Sequence, residues 1–147
     1  MPEADARILI ADDHPHGVEL LEAYLSGTPY QTRTAVNGEE ALHAIQEWQP
    51  DVVLLDVMMP RLSGFEVCKR LRADPATRAT GVIMITALDQ PADVDRAVDA
   101  GTDDFLTKPI NQAELLHRIQ ALLKCRTQTD DLPRALDYIR AVEEAVA

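Results

Sequence analysis

Five side chains able to do charge, metal or hydroxyl chemistry follow directly on short, mostly apolar runs. Asp12 and Asp13 follow Arg7-Ile-Leu-Ile-Ala11, and Asp56 follows Val52-Val-Leu-Leu55. Thr86 follows Val82-Ile-Met-Ile85, and Lys108 closes Asp104-Phe-Leu-Thr107. Three carboxylates gathered in one place repel by roughly 4 kcal/mol per pair at 4 Å and an effective dielectric of 20. They stay ionised together only if a cation joins them. Oxygen-only ligands with room for water suit a hard ion, Mg²⁺ first and Mn²⁺ next. Lys108 adds a fixed positive charge and Thr86 a hydroxyl that donates to an oxyanion. Carboxylate, hard ion, lysine and hydroxyl together are what phosphoryl transfer onto an aspartate requires.

The elements that must position these groups alternate strand and helix. Residues 52–55, bounded by Asp51 and Pro60, read as a strand buried on both faces in the middle of a parallel sheet. Taken alone, Asp56 has a simpler reading as a cap for the next turn. Residues 7–11 form a first strand, and His14-Pro15 opens a helix with Val18, Leu21 and Leu25 on one face, ended by Ser26-Gly27. Residues 30–36 alternate weakly and read as an edge strand. Asn37-Gly38 is a turn signal, and residues 39–48 a helix burying Ala41, Leu42 and Ile45. Residues 64–73 are a third helix with Phe65, Cys68 and Leu71 inward. A fourth strand over 82–85 ends at Thr86, and a short helix over 93–100 is stopped by Gly101. A fifth strand covers 104–107. Asn111 with Glu114 makes a capping-box pair that starts a helix reaching about Lys124. Five strands and five helices in alternation predict a doubly wound α/β fold with a parallel sheet covered on both faces. The chemical groups then sit at the C-terminal ends of four strands out of five, on the sheet edge where such folds bind ligands. A set of that size favours a shared site over a lone cap.

Composition limits the alternatives. The chain has 147 residues, 46% hydrophobic but only 4% aromatic, so the core is expected to be aliphatic. A net charge of −11 argues against direct, non-specific nucleic-acid binding. No apolar run approaches a membrane span, and the acidic N-terminus lacks a signal-peptide pattern. Cys68 and Cys125 are isolated, as reduced thiols of the cytoplasm are.

Ile10-Ala-Asp-Asp13, Leu54-Leu-Asp-Val-Met-Met-Pro60, Ile85-Thr-Ala87 and Gly101-Thr-Asp-Asp-Phe-Leu-Thr-Lys-Pro109 resemble, in type, order and spacing, the motifs of receiver domains of two-component response regulators. The resemblance runs from about Arg7 to Cys125. It implies the flavodoxin-like strand order 2-1-3-4-5 and Asp56 as the acceptor of a phosphoryl group from a sensor histidine kinase or phosphotransfer protein. It further implies Mg²⁺ held by Asp13, Asp56 and the backbone carbonyl of Met58, with Asp12 acting through water. Lys108 would pair with the phosphoryl group and Thr86 would move to hydrogen-bond it. Phe105 matches the aromatic switch position, where tyrosine is frequent; phenylalanine lacks the hydroxyl that some partners read. Lys108-Pro109 matches a cis-proline turn. Met58 and Ala87 would flank the water path to the phosphoryl group without polar help. Such a domain is a signalling phospho-acceptor that catalyses only its own phosphotransfer and autodephosphorylation.

His14 and His16 beside the acidic pair suggest a transition-metal site, but solvated imidazoles near a helix N-terminus explain them more simply. Trp48 reads as packing. Two rival classes fit less well. A metal-dependent aspartyl phosphatase needs a second acid two residues after its nucleophile, where this chain has Met58. A flavin module needs a Ser/Thr/Gly-rich phosphate loop where this chain has Asp12-Asp-His-Pro15. A degenerate receiver, kept only as a binding surface, conflicts with the intact acidic set. Residues 1–125 are thus expected to be the receiver domain. In residues 126–147, Leu132, Ala135, Ile139, Val142 and Val146 fall at heptad positions. That pattern predicts an amphipathic helix, either folded back on the domain or serving as a linker or dimerisation helix. A homodimer is expected through that helix or through the face of the fourth helix, fifth strand and fifth helix. The segment is too short for an output domain, so none is expected in this chain.

Overall fold

The computed structural model describes residues 6–87 and 90–125. The elements run β1 (Arg7–Ala11), α1 (Pro15–Leu25), β2 (Gln31–Ala35), α2 (Gly38–Trp48), β3 (Val52–Asp56), α3 (Gly64–Ala73), β4 (Gly81–Thr86), α4 (Pro91–Ala100), β5 (Asp104–Thr107) and α5 (Gln112–Cys125). The strands form one parallel sheet in the order β2-β1-β3-β4-β5. The expected doubly wound fold is therefore the one observed. β3 and β4 are buried at every residue, whereas β2 is exposed at four of its five positions, as an edge strand is.

Alternation along the strands divides the core between the two faces of the sheet. Ile8, Ile10, Leu54, Ile83 and Ile85 face α1 and α5, where they meet Leu21, Leu25, Leu115 and Ile119. Leu9, Val53, Leu55, Val82 and Met84 face the other way, against Ala41, Ile45, Phe65, Cys68 and Ala97 of α2, α3 and α4. Each such aliphatic side chain contributes about 1.5–3 kcal/mol by burial, so both faces hold the sheet rigid beneath its C-terminal edge. Cys68 and Cys125 are free and buried, and burial pushes the Cys68 thiol up to about 11.

The helix starts follow from local chemistry. Asn37 caps α2 by accepting from the Glu40 N–H at 2.8 Å, and Ser63 caps α3 by accepting from Glu66 N–H at 3.3 Å. Asn111 accepts from Glu114 N–H at 3.0 Å, as the sequence pattern foretells. α4 begins at Pro91, two residues before the expected start at Asp93, because proline suits the first helical position and loses no needed donor there. Leu42 is only partly buried rather than fully inward.

Two clusters tie the N-terminal half of the sheet edge together. The Arg72 guanidinium donates to the carbonyls of Gly101 (2.8 Å), Arg78 (2.7 Å) and Thr80, and to Asp103 Oδ2 (2.8 Å). The same Asp103 oxygen accepts from the Val82 N–H at 2.9 Å. One side chain of α3 thus fastens the segments leading into β4 and β5. Trp48, at the end of α2, is buried in the core as the packing residue it was read to be. Its ring lies under the guanidinium groups of Arg33 (4.8 Å) and Arg7 (5.8 Å), and its carbonyl accepts from Arg7 at 2.7 Å. Among the described residues no helix is long and apolar enough to cross a membrane. The amphipathic helix expected over residues 126–147 lies outside the described residues.

Candidate functional site

The strand order places the switch in chain direction between β1 and β3, and ligands of open α/β sheets bind beyond the strand ends at such a point. Asp12 lies just past β1 and Asp56 is the last residue of β3; their side chains are 3% and 4% exposed. Ala11 and Leu55 pair in register, so the two carboxylates emerge side by side. Asp12 Oδ1 accepts from the backbone N–H of His14 at 2.9 Å, which closes the turn into α1. Gly17 in the first turn of α1 makes room for the other oxygen: a Cβ there would stand 2.4 Å from Asp12 Oδ2.

The connection after β3 folds back tightly. The Gly64 N–H donates to Val57 O at 2.9 Å, and a Cβ on Gly64 would lie 2.5 Å from the Asp56 carbonyl oxygen. This path carries the Met58 N–H to within 2.9 Å of Asp56 Oδ1, while the Met58 side chain is 60% exposed. Lys108 reaches in from the far side. Its backbone N–H donates to Thr86 O at 2.8 Å, and its Nζ lies 3.0 Å from Asp56 Oδ2 and 3.4 Å from Asp12 Oδ2. Thr86 is fully buried at the end of β4. The Lys108-Pro109 peptide is cis, and Phe105 is half-buried against the α2–α4 side of the core. The structure therefore brings Asp12, Asp13, Asp56 and Lys108 together, with Thr86 joined to Lys108 through the backbone. Phe105 sits on the neighbouring strand.

Charge is uneven across the site. Burial pushes the Asp56 carboxyl above its ordinary range; the Met58 amide and Lys108 pull it down, Asp12 pushes it up, and burial prevails. Burial pushes Lys108 down, but its hydrogen bond to Asp56 and the charges of Asp56 and Asp12 outweigh that, so the ammonium is held above its ordinary value. One lysine does not satisfy three acids. Asp13 Oδ1 is buried and makes no hydrogen bond; His14 Nδ1, hydrogen-bonded to Asp12 Oδ1 at 3.2 Å, lies 3.0 Å from it. Asp12, Asp13, His14 and Asp56 each present one ligand atom, all within 4.8 Å of one another. An orphaned buried oxygen at the centre of converging carboxylates fits a hard divalent cation.

His14, read from the sequence as a solvated imidazole, stands against the acidic pair. Its side chain is 64% exposed, as expected, yet its Nδ1 lies between Asp12 Oδ1 (3.2 Å) and Asp13 Oδ1 (3.0 Å). The signal was available: Pro15 restricts the residue before it to extended backbone, and His14 adopts φ −99°, ψ 116°. His16 is exposed and stands outside the cluster. A groove of about 290 Å³ opens beside the site, walled by Leu20, Leu21, Ile85 and Ile110, with Lys108 on its rim.

Comparison with known proteins gives one consistent result. The family model described as the response regulator receiver domain matches residues 8–120. Response regulator PleD of Caulobacter vibrioides is 44% identical over 127 residues, an alignment that covers 86% of this chain. The chain spans only 28% of PleD's length. The signal receiver domain of a signal transduction histidine kinase from Syntrophus aciditrophicus has a TM-score of 0.78 and 36% identity, covering 86% of this chain and 96% of that one. The receiver domain of sensor histidine kinase PA1611 from Pseudomonas aeruginosa, solved with a magnesium ion coordinated in its active site cleft, has a TM-score of 0.76 and 28% identity. It covers 82% of this chain and 98% of its own.

Proposed function

The chain belongs to the response regulator receiver family, and on that premise we propose that Asp56 is its phospho-acceptor. The observation that carries this reading is the Lys108 ammonium 3.0 Å from a buried Asp56 carboxylate, with an unpartnered Asp13 oxygen alongside. Asp56 Oδ1 is occupied by the Met58 N–H, which leaves Oδ2 as the attacking oxygen. A new P–O bond forms at Oδ2 as the P–N bond of a donor phosphohistidine breaks, and the donor imidazole leaves with the electron pair. Lys108 transfers its hydrogen bond from the carboxylate to the arriving phosphoryl oxygens. Asp13, Asp56 and the Met58 carbonyl would hold Mg²⁺ (or Mn²⁺), with Asp12 assisting through water; when bound, the ion supplies positive charge to the phosphoryl oxygens. Thr86 then turns its hydroxyl toward the same oxygens, and Phe105 moves inward behind it.

The partner is a sensor histidine kinase or phosphotransfer protein, whose donor side chain rests against the apolar groove beside Lys108. Loss of the phosphoryl group to water is the domain's own reaction. The output surface is the face of α4, β5 and α5, used for a partner or a homodimer. Residues 1–125 form the receiver and residues 126–147 the linker or dimerisation segment, in the cytoplasm. Acetyl phosphate labelling, or beryllofluoride binding, in the presence of Mg²⁺ tests the assignment. The wild-type chain is modified once and Asp56→Asn is not; full modification of Asp56→Asn would remove Asp56 from its role.

A further inference from the structure

Resting on the reading that Asp56 accepts a phosphoryl group beside Lys108, we infer that Tyr24 is a positioning residue for that reaction. Its hydroxyl holds the loop that carries Lys108. Lys108 opens the short connection between β5, which ends at Thr107, and α5, which starts at Gln112. A lysine stem is long and flexible, so where its ammonium stands depends on how firmly its backbone is held. The strand side is tied by the Lys108 N–H, which donates to Thr86 O at 2.8 Å. On the helix side Pro109 has no N–H to offer. There Tyr24 Oη, from α1, donates to the Ile110 carbonyl at 3.0 Å. Gln112 Nε2 returns a bond to the Tyr24 carbonyl at 3.2 Å. Ile110 is buried, and the half-buried Tyr24 packs against the same core cluster, so the tie has a fixed base.

The other end of α1 connects this tie to the acidic edge. The turn that enters α1 is closed by the His14 N–H donating to Asp12 Oδ1 at 2.9 Å. One helix therefore anchors Asp12 at its start and the Lys108 loop near its end. It sets the spacing that leaves Lys108 Nζ 3.4 Å from Asp12 Oδ2 and 3.0 Å from Asp56 Oδ2. The acids have their own anchors, Asp12 on the His14 N–H and Asp56 on the Met58 N–H at 2.9 Å. Loss of the Tyr24 hydroxyl thus loosens Lys108 and spares the carboxylates. Phosphoryl transfer is catalysed by positioning and charge stabilisation. An ammonium that is out of place part of the time neutralises less of the charge on the phosphoryl oxygens. Tyr24 acts through Lys108 and takes no part in the bond changes.

The test is a double-mutant cycle on the full chain: wild type, Tyr24→Phe, Lys108→Ala and the double variant. Intact-protein mass spectrometry follows the rate of acetyl phosphate labelling at saturating Mg²⁺. Calorimetry measures Mg²⁺ affinity, and NMR of selectively labelled lysine reads the Lys108 ammonium. Tyr24→Phe is expected to slow labelling about three- to tenfold, the size of one lost hydrogen bond, with Mg²⁺ affinity changed less than about twofold. The Lys108 ammonium resonance should shift in the same variant. In the Lys108→Ala background, Tyr24→Phe should bring no further slowing, whereas a merely structural role would slow both backgrounds alike. An unchanged labelling rate in Tyr24→Phe, or the same slowing in both backgrounds, overturns the inference and leaves Asp56 as the acceptor. Asp56→Asn labelled as fully as the wild type would instead overturn the acceptor reading, and the inference with it.

Discussion

Replacing Asp56 with asparagine should make the metal-free protein more stable. Asp56 loses one attraction and two repulsions. The attraction, to Lys108 Nζ at 3.0 Å, is worth about 5.5 kcal/mol at an effective dielectric of 20. The repulsions, from Asp12 and Asp13 at no more than 4.8 Å, are worth at least about 3.5 kcal/mol each on the same scale. The lysine side chain is 32% exposed while those of Asp56 and Asp12 are 4% and 3%, so solvent screens the attraction more than the Asp12 repulsion. Burial is the largest penalty on the ionised carboxylate and outweighs the pull of Met58 and Lys108, and so the Asp56 carboxyl lies above its ordinary range. The expected gain for Asp56→Asn is about 1–3 kcal/mol at pH 7 in chelator, or roughly 1 M in urea midpoint. A carboxyl with a raised folded-state pKa contributes stability that is present below its unfolded value and lost as pH rises through the folded value. The difference between variant and wild type should therefore be largest at neutral pH and shrink as pH falls toward the ordinary carboxyl range. Mg²⁺ at a hundredfold over its dissociation constant adds about 2.7 kcal/mol to the wild type and less to the variant, closing the gap from the other side. Urea titrations with and without Mg²⁺ at pH 4 to 8 measure all of this. A variant less stable than the wild type in chelator at pH 7 would refute the charge balance.

Three further outcomes are expected. Arg72→Ala removes the donors of four carbonyl and carboxylate bonds and should lower the unfolding free energy by about 2–4 kcal/mol. Arg72→Lys should recover less than half of it, because an ammonium has no fork to reach them together; a lysine variant as stable as the wild type would discount the clamp. Gly17→Ala places a Cβ against Asp12 Oδ2. Calorimetry should show weaker Mg²⁺ binding with unfolding changed by about 1 kcal/mol or less, and unaltered affinity would mean that Asp12 has room to turn. Thr86→Ala should keep acetyl phosphate labelling of Asp56 yet lose the beryllofluoride-dependent change in hydrogen exchange around Phe105 and over residues 126–147. Normal protection changes in that variant would exclude Thr86 as the link.

The fold was legible because its signals are local and repeated. Fully apolar runs at β3 and β4, weak alternation at β2, the Asn37-Gly38 turn signal and the cap at Asn111 each dictate one element, and their order dictates the sheet. The acidic set was legible for the same reason: strand ends in a parallel sheet share an edge, so residues far apart in sequence converge without any need to know their contacts. What escaped depends on distance rather than position. The part of His14 in the cluster follows from the ψ that Pro15 imposes and from a turn closed by Asp12. The clearance that Gly17 and Gly64 supply is visible only once a helix and a loop lie against a carboxylate. The Arg72 clamp joins carbonyls of two segments, and carbonyls carry no sequence signature.

Trp48 gives the molecule a built-in spectroscopic reference. It is the chain's single tryptophan, wedged under Arg33 and Arg7 where the strands begin, with the whole length of the sheet between it and the acidic edge. Its emission is expected to register whether the domain is intact and to respond only indirectly to whatever sits among the aspartates. A titration that leaves the tryptophan band unmoved is therefore no sign of failed binding. One that shifts it reports a disturbance carried along the full span of the strands.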